Sequence, residues 1–250
     1  MLIGLDFDNT LARYDSVFAI EAKKEGLISD DWQGTKQDLK DKLYSIKDGD
    51  KSWQKIQGQV YGPSMHKASL FPGVARFLLR CKLKGHVIFI VSHKTKYGHF
   101  DPTKTLLRQV ALDWMHSKGF FDKDKFLILE ENIFFANTRQ EKVEKINNLK
   151  LDVFVDDLEE VFSEKSFPDI KKILFSNKSK NKYHDVICNN WSNIENSILG
   201  EISNKEIRHL VNSIYNGSVN NIEKIDGRGN SRLYKLSTKK KGDVVLKDYP

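Results

Sequence analysis

Short apolar runs alternate with amphipathic stretches along the first 200 residues. Runs that are apolar on both faces are typical of the buried strands of a parallel sheet. Six such runs are present: Leu2–Phe7, Val87–Val91, Phe126–Leu129, Val153–Val155, Ile173–Phe175 and Asp185–Cys188. Because helical patterns separate them, the sequence predicts an α/β domain with a doubly wound, Rossmann-like parallel sheet.

Three helices are predicted between these strands. The first carries apolar residues at i, i+3, i+4 and i+7, namely Val74, Phe77, Leu78 and Cys81. The second spans Leu106–Met115 and stops before Gly119. The third begins with Thr138 followed three residues later by Glu141, which is a capping-box spacing.

Residues 14–70 interrupt this alternation. They are polar and mostly compatible with helix, and they carry widely spaced apolar anchors such as Leu39, Leu43, Trp53 and Ile56. We interpret them as a helical cap inserted over the strand ends. The amino-acid composition changes again near residue 200. We therefore predict one domain over residues 1–203 and a small segment with a β-hairpin over residues 204–250.

Composition excludes several classes of protein. Hydrophobic residues make up 39% of the 250 residues and charged residues 30%, which is typical of a globular protein. No apolar run approaches the ~20 residues that a membrane helix needs, and the N-terminus lacks the pattern of a signal peptide. With only two cysteines, Cys81 and Cys188, a disulfide framework is not expected and a cytoplasmic location is the default.

The net charge of +7 raises the question of an anionic partner. Residues 201–250 hold ten Lys and Arg against six Asp and Glu, so more than half of the excess lies in this segment, around Lys239–Lys241. We interpret that run as a solvated basic loop, which argues against a nucleic-acid partner. A basic protein favours small anionic substrates such as phosphate esters.

Acidic residues follow two of the predicted strands. Asp6 and Asp8 come after Leu2–Leu5, and Asp156 and Asp157 come after Val153–Val155. The carboxyl ends of parallel strands are where ligands bind. Four carboxylates at one edge repel one another unless a cation neutralises them, and carboxylate oxygens suit Mg²⁺. The pattern therefore predicts a magnesium site.

A hydroxyl and a lysine complete the candidate site. Ser92 follows the strand Val87–Val91, where the hydroxyl and free backbone amides suit a phosphate oxygen. The predicted third helix offers Lys142 and Lys145. At 100° per residue, Lys142 lies about 40° from the centre of the apolar face and Lys145 about 100° from it, so Lys142 points more towards the sheet.

These motifs, in this order and context, resemble the motif set of the haloacid dehalogenase (HAD) superfamily over residues ~1–200. The form Asp6-x-Asp8-x-Thr10 is similar to that of its phosphatase branch, and the segment 14–70 occupies a common cap position. The resemblance implies that Asp6 attacks phosphorus to form an aspartyl-phosphate and that Asp8 acts as general acid and base. It also implies that Mg²⁺ is held by Asp6, the backbone carbonyl of Asp8 and Asp156, with Asp157 beside it; which of the adjacent acids binds directly stays open.

Further roles follow from the same resemblance. It implies that Ser92 and Lys142 hold the phosphoryl oxygens and that Thr10 orients the loop. Specificity is expected from the cap and from the loop after Ser92, where His93 and Lys94 are candidate substrate contacts. The implied substrate is a small phosphorylated metabolite, either a sugar phosphate or a nucleotide.

The last fifty residues resemble a different protein family. The segment Ile225–Leu236, with Gly227 and Gly229, followed by Val244–Lys247, is similar to the opening of an aminoglycoside-phosphotransferase or kinase-like lobe. No catalytic residues follow, so we interpret residues 204–250 as an incomplete lobe of a fused kinase-like domain. Two alternatives to the small-molecule phosphatase stay open: a polynucleotide end phosphatase, and a non-catalytic HAD scaffold for the kinase-like domain.

Overall fold

The fold was analysed on a computed structural model, which describes residues 1–101, 103–178, 183–215, 219–225, 232–238 and 242–248. A six-stranded sheet forms its centre, and every neighbouring pair in it is parallel. The strands are β1 (Leu2–Leu5), β2 (Val87–His93), β3 (Ile133–Ala136), β4 (Val153–Asp156), β5 (Lys171–Phe175) and β6 (Val186–Cys188). Their order is β3-β2-β1-β4-β5-β6, which confirms the predicted parallel α/β sheet.

Both faces of the sheet are covered by helices. In chain order, the helices of the described residues are α1 (Asp15–Lys24), α2 (Lys36–Tyr44), α3 (Gly49–Tyr61), α4 (Val74–Leu83), α5 (Leu107–Lys118), α6 (Arg139–Asn148), α7 (Glu159–Phe162), α8 (Trp191–Leu199) and α9 (Asn204–Tyr215). Of these, α1 to α3 lie in the cap and α9 lies in the C-terminal segment. Alternate strand residues enter different clusters: Val153 and Val155 join the large core, whereas Phe154 packs with Val143 and Ile146 of α6. This two-sided burial explains why the strands are apolar without alternation.

Helices α1 to α3 form the cap predicted for residues 14–70. Two-residue strands, Ala12–Arg13 and Ser69–Leu70, pair antiparallel where the chain enters and leaves it. Inside the cap, Phe18 of α1 stacks on Trp53 of α3, with ring centroids 5.0 Å apart. The insertion therefore has its own apolar contacts and stands on a short two-stranded stem.

The strand predicted at Phe126–Leu129 is wrong. These residues form a turn and an irregular segment, Leu127 has a left-handed backbone (φ 55°), and the strand is Ile133–Ala136. Phe126 and Ile128 are buried, and Phe126 contacts the ring of Phe120. The apolar run thus reflects two anchors of a loop and not a strand.

The C-terminal segment forms a small antiparallel sheet with α9. Its strands are β7 (Val219–Ile225), β8 (Arg232–Thr238) and β9 (Gly242–Asp248), in the order β9-β8-β7. Ile207 and Val211 of α9 pack with Ile222 and Leu236 of this sheet. The glycines Gly227 and Gly229 and the basic run Lys239–Lys241 lie outside the described residues. Within them, no helix is long and apolar enough to cross a membrane.

A buried ion pair joins this segment to the preceding domain. The guanidinium of Arg80, on α4, is fully buried and donates to Glu206 of α9 at 2.9 Å. The predicted boundary at residue 203 therefore falls directly before α9, at a point where the two parts share buried charges.

Candidate active site

Two strand ends and one helix bring the predicted charges together. Asp6 follows β1, and its backbone N–H donates to the carbonyl oxygen of Val155 on the neighbouring strand β4 at 2.8 Å. Asp156 is the last residue of β4. The Lys142 ammonium donates to Asp6 Oδ1 and to Asp156 Oδ2, both at 2.6 Å. All three side chains are buried, so this is an ionic cluster with little access to water.

The cluster holds more negative than positive charge. Oxygens of Asp6, Asp156 and Asp157 lie within 4.8 Å of one another, and Lys142 supplies one ammonium. Burial raises the pKa of Asp156, with Asp6 adding to the rise against the opposing effect of Lys142. Burial, then Asp6 and Asp156, raise the pKa of Asp157. These shifts express the cost of crowding carboxylates away from water.

The donor set fits a hard divalent cation. Three carboxylate groups within 4.8 Å supply only oxygen, which is the ligand type of Mg²⁺. Two negative charges remain after Lys142 is counted, which matches one divalent ion. The carboxylate of Asp8, predicted near the metal, lies outside this group; only its backbone carbonyl was expected to bind.

The start of α6 determines the position of Lys142. The Thr138 hydroxyl accepts the backbone N–H of Glu141 at 3.1 Å, which fixes the first turn of the helix. Lys142 then points to the sheet edge and is 2% exposed at its side chain. The ammonium of Lys145 lies 3.6 Å from the centroid of the Phe134 ring, so it is placed against an aromatic face and not among the acids.

Asp8 has different partners from Asp6. Its carboxylate accepts from the Lys94 ammonium at 2.7 Å and from the Tyr14 hydroxyl at 2.5 Å. Lys94 is buried just beyond β2, with its backbone N–H bound to the carbonyl of Ala136 at 3.0 Å. Burial and the charge of Asp8 raise the pKa of Tyr14, so Tyr14 acts as a hydrogen-bond donor. Lys94, predicted as a substrate contact, is placed as a partner of Asp8.

A tight turn carries the chain from Asp8 into the cap. Asn9 has a left-handed backbone (φ 61°), and the carbonyl of Phe7 accepts the N–H groups of Leu11 and Ala12, both at 3.0 Å. Thr10 is buried in this turn; its carbonyl accepts from Trp191 Nε1 at 2.9 Å, and its hydroxyl lacks a hydrogen-bond partner among the described residues. Thr10 is thus placed within the loop that carries Asp8.

Ser92 and His93 end β2. Ser92 is buried and lies beside Phe135 of β3. The His93 ring lies 2.8 Å from the carbonyl of Asn137, to which its Nε2–H donates. His93 also lines the cleft described next. The structure therefore places Ser92 at the end of the strand next to β1 and His93 at the cleft.

A cleft of about 880 Å³ lies between this edge and the cap. Asp8, His93, Lys94 and Asp157 line its floor. The cap side includes Tyr14, Lys36, Lys40, Gln54 and Tyr61. Sequence reasoning missed Tyr14 and Lys36: a cap lysine looks like any solvated lysine, and only the position of Tyr14 at the start of the insertion, six residues after Asp8, gave a signal.

Comparisons with known proteins agree with this architecture. No family model matches the sequence. The chain is 25% identical over 162 residues to a candidate nucleotidase from Oceanobacillus iheyensis, a match that covers 63% of this chain and 77% of that protein. It is similar to the crystal structure of a candidate phosphatase from Clostridium difficile, with a TM-score of 0.50, 13% identity and coverage of 79% and 98%.

A HAD-superfamily hydrolase from Ehrlichia chaffeensis also matches, with a TM-score of 0.45, 14% identity and coverage of 79% of this chain and 95% of that one. At these identities the likeness to the solved structures is one of fold. The chain has a Rossmann-like α/β fold similar to that of the Clostridium difficile protein, with a helical cap and a separate small antiparallel sheet. None of these three matches supports the kinase-like resemblance of residues 204–250.

Proposed function

We propose that this protein is a HAD-type phosphatase that uses Mg²⁺ and hydrolyses small phosphate monoesters through an aspartyl-phosphate on Asp6. The observation that carries the proposal is the ionic cluster of Asp6, Lys142 and Asp156, with Asp157 within 4.8 Å of both acids. This cluster adjoins the capped cleft that Asp8 lines. The fold and the named relatives support a hydrolase of this kind.

In the first step, a carboxylate oxygen of Asp6 attacks phosphorus and the bond to the leaving oxygen breaks. Asp8 enters this step protonated, donates that proton to the leaving oxygen, and becomes the carboxylate that accepts from Lys94 and Tyr14. In the second step, Asp8 takes a proton from water, whose oxygen attacks phosphorus and releases phosphate from Asp6. The hydrogen bonds from Tyr14 and Lys94 hold the Asp8 carboxylate in place for both transfers.

The phosphoryl group needs positive charge and hydrogen-bond donors. Lys142 lies 2.6 Å from Asp6, where it meets the negative charge that develops on the phosphoryl oxygens. Ser92, at the end of the neighbouring strand, supplies a hydroxyl at the same edge. Asp6, Asp156 and the backbone carbonyl of Asp8 would hold Mg²⁺, with Asp157 beside them. When bound, the ion supplies charge neutralisation for the nucleophile and the phosphoryl group.

The substrate class we propose is a small phosphorylated metabolite, with a nucleotide or a sugar phosphate as candidates. The similarity to a candidate nucleotidase favours the nucleotide. The cleft is closed on one side by the cap helices, whose side chains Lys40, Trp53 and Gln57 line it. A covered cleft suits a small ester better than a polynucleotide end. His93 lines the same space and is a proposed substrate contact. We propose the cytoplasm as its compartment, with which the two buried free thiols, Cys81 and Cys188, are compatible.

Phosphate release from a panel of phosphorylated metabolites tests the proposal. We expect turnover by the wild type in Mg²⁺, no turnover in excess chelator, and a loss of at least about a thousandfold in Asp6→Asn with the circular dichroism spectrum retained. Asp169→Asn, an exposed acid far along the chain, is the matched control and keeps wild-type turnover. Full activity of Asp6→Asn, or of the wild type without a divalent ion, contradicts the mechanism.

A further inference from the structure

Two lysines of the cap face the cleft from the same side of α2. Lys36 and Lys40 are four residues apart, so they lie one above the other on the helix. Both line the cleft, whereas Leu39 and Leu43 of the same helix are buried in the cap. The helix thus presents a pair of ammonium groups to the space above the strand ends.

Lys36 is held next to the turn that carries Asp8. Its ammonium donates to Asn9 Oδ1 at 2.8 Å and to the Tyr61 hydroxyl at 3.2 Å. It also lies 4.8 Å from the centroid of the Phe18 ring. Because its hydrogen-bond partners are neutral, the positive charge of Lys36 is oriented but not compensated by them.

Lys40 stands one turn farther from the strand ends. Its ammonium lies 5.7 Å from the Tyr44 ring and 6.0 Å from the Trp53 ring. Aromatic faces hold the stem and attract the charge weakly. Throughout the part of the chain that the structure describes, no carboxylate lies within ion-pair distance of the ammonium of Lys36 or Lys40.

Other cap lysines either pair with a carboxylate or lie outside the cleft, as Lys42 does over the Trp32 ring. Lys24, Lys51 and Lys55 each pair with a carboxylate, at 2.9, 3.0 and 2.5 Å. Three acids line the cleft: Asp8 is bound by Lys94, Asp15 is bound by Arg13, and Asp157 belongs to the strand-end cluster. The charge of Lys36 acts on Asp157, lowering its pKa against the larger effect of burial, without an ion-pair contact between them among the described residues. Two like charges at this spacing on a helix repel each other. An anion in the cleft removes that repulsion and completes the hydrogen bonds of both ammonium groups.

From this arrangement we infer that Lys36 and Lys40 form a subsite for a second anionic group of the substrate, either a carboxylate or a second phosphate. The inference rests on the proposed phosphatase function and narrows its substrate class. Lys36 lies beside the catalytic turn, and Lys40 is roughly 6 Å farther along the helix. The favoured substrate is therefore a compact phosphomonoester whose second negative group projects towards the cap.

A pair of matched substrates tests the subsite. Phosphoglycerate and glycerol phosphate differ by a carboxylate in place of a hydroxymethyl group, and adenosine bisphosphate and adenosine monophosphate differ by a second phosphate. For the pair whose second anion reaches the two lysines, we expect wild-type kcat/KM to be about tenfold higher for the more anionic member. This factor is the contribution of one charge-assisted hydrogen bond in a half-exposed cleft. Which pair shows the preference identifies the anion.

Variants separate the subsite from general charge effects. In Lys40→Gln the ratio of kcat/KM between the two members falls to about one. Lys42→Gln is the control, because Lys42 lies on the same helix but over the Trp32 ring, outside the cleft; its ratio stays at about ten. A wild-type kcat/KM ratio near one in both pairs, or an unchanged ratio in Lys40→Gln, overturns the subsite. If phosphate is still released in these assays, the phosphatase proposal is not affected by that result.

Binding keeps the inference testable without turnover. Calorimetric titration of the Asp6→Asn variant with phosphoglycerate and glycerol phosphate, and with the adenosine pair, gives affinities that do not depend on catalysis. A tenfold tighter dissociation constant for the more anionic member of one pair, lost when Lys40→Gln is added, supports the subsite even if no substrate is hydrolysed. Equal affinities in both pairs, or no binding, overturn it.

Discussion

Two buried cations, Lys142 and Arg80, sit in opposite electrostatic settings. Lys142 is surrounded by the carboxylates of Asp6, Asp156 and Asp157. Arg80 faces two carboxylates, those of Glu195 at 2.6 Å and Glu206 at 2.9 Å. Negative charges outnumber positive ones around Lys142, whereas they do not around Arg80.

The surroundings of Arg80 make the difference plain. Its remaining N–H groups donate to the carbonyls of Gly200 and Glu201 at 3.1 and 3.3 Å. Glu195 also accepts from Arg76, and Glu206 from Lys84. Every charge in this cluster has an opposite charge beside it, so it needs no further ion and serves to hold α4, α8 and α9 together.

The comparison separates a cluster whose charges are balanced from the cluster on which the proposed function rests. Both clusters are buried and both join elements distant in sequence. When its three carboxylates are ionised, the cluster at the strand ends has two more negative than positive charges, and it adjoins the cleft under the cap. The net charge that remains after local ion pairs are counted therefore indicates a ligand-binding site better than burial does.

The largest effect is expected at Lys142. Lys142→Met removes the donor between Asp6 and Asp156, and we expect kcat/KM for phosphate release to fall about a thousandfold, because the developing phosphoryl charge loses a fixed cation. Lys145→Met is the matched control: its ammonium lies over the Phe134 ring, so the loss is less than about threefold. An equal or larger loss in Lys145→Met shows that the choice between the two lysines was wrong.

The balanced cluster should matter for stability instead. Arg80→Met leaves Glu195 and Glu206 buried without their main donor, and we expect the free energy of unfolding to fall by about 3 kcal/mol. Arg139→Met, which breaks an exposed pair with Glu164 at 3.4 Å, should cost less than about 1 kcal/mol. Urea denaturation measures both. Equal losses in the two variants would mean that the Arg80 cluster contributes nothing beyond a surface pair.

A smaller effect is expected from acid. Burial raises the pKa of Glu206, but hydrogen bonds from Ser203 and then from Arg80 and Lys84 outweigh it and lower the pKa to about 2. The unfolded chain has a value of about 4.3. The stabilisation by Glu206 is therefore complete above about pH 4.3 and is lost as the pH falls towards 2, by an amount on the order of 1–2 kcal/mol after solvent screening.

Glu206→Gln isolates this contribution. Between pH 6 and pH 3 the free energy of unfolding should fall more steeply in the wild type than in Glu206→Gln, by about half of that amount, because the rest is lost below pH 3. Parallel pH profiles of the two proteins would show that the charge of Glu206 does not stabilise the docking of α9 onto α4.

The sequence predicted the sheet, the cap and the acids at the strand ends because each leaves a local pattern. Apolar runs marked β1, β2 and β4, and the acids directly after them share an edge once the strands are parallel. The strand prediction at Phe126–Leu129 was wrong because two residues that anchor a loop, Phe126 and Ile128, are buried and apolar like the residues of a strand. Burial by a loop and burial by a sheet look alike over four residues.

Other features depend on contacts between distant segments. Arg80 lies next to Cys81 on α4, and its burial follows from Glu195 and Glu206, 115 and 126 residues away. Lys36 differs from the solvated lysines of the cap through Asn9 and Tyr61, 27 and 25 residues away. A single sequence does not pair such residues. The Lys94 contact with Asp8 was out of reach for the same reason.

The binding of Mg²⁺ to the purified protein, measured by calorimetric titration, tests most directly the claim that the strand-end cluster is the one in need of a cation. We expect one ion per chain in the wild type and in Glu164→Gln, and affinities at least about tenfold weaker in Asp156→Asn and Asp157→Asn. The larger loss identifies which of the two acids binds directly. Absence of binding in the wild type, or equal affinity in all four proteins, would contradict the account.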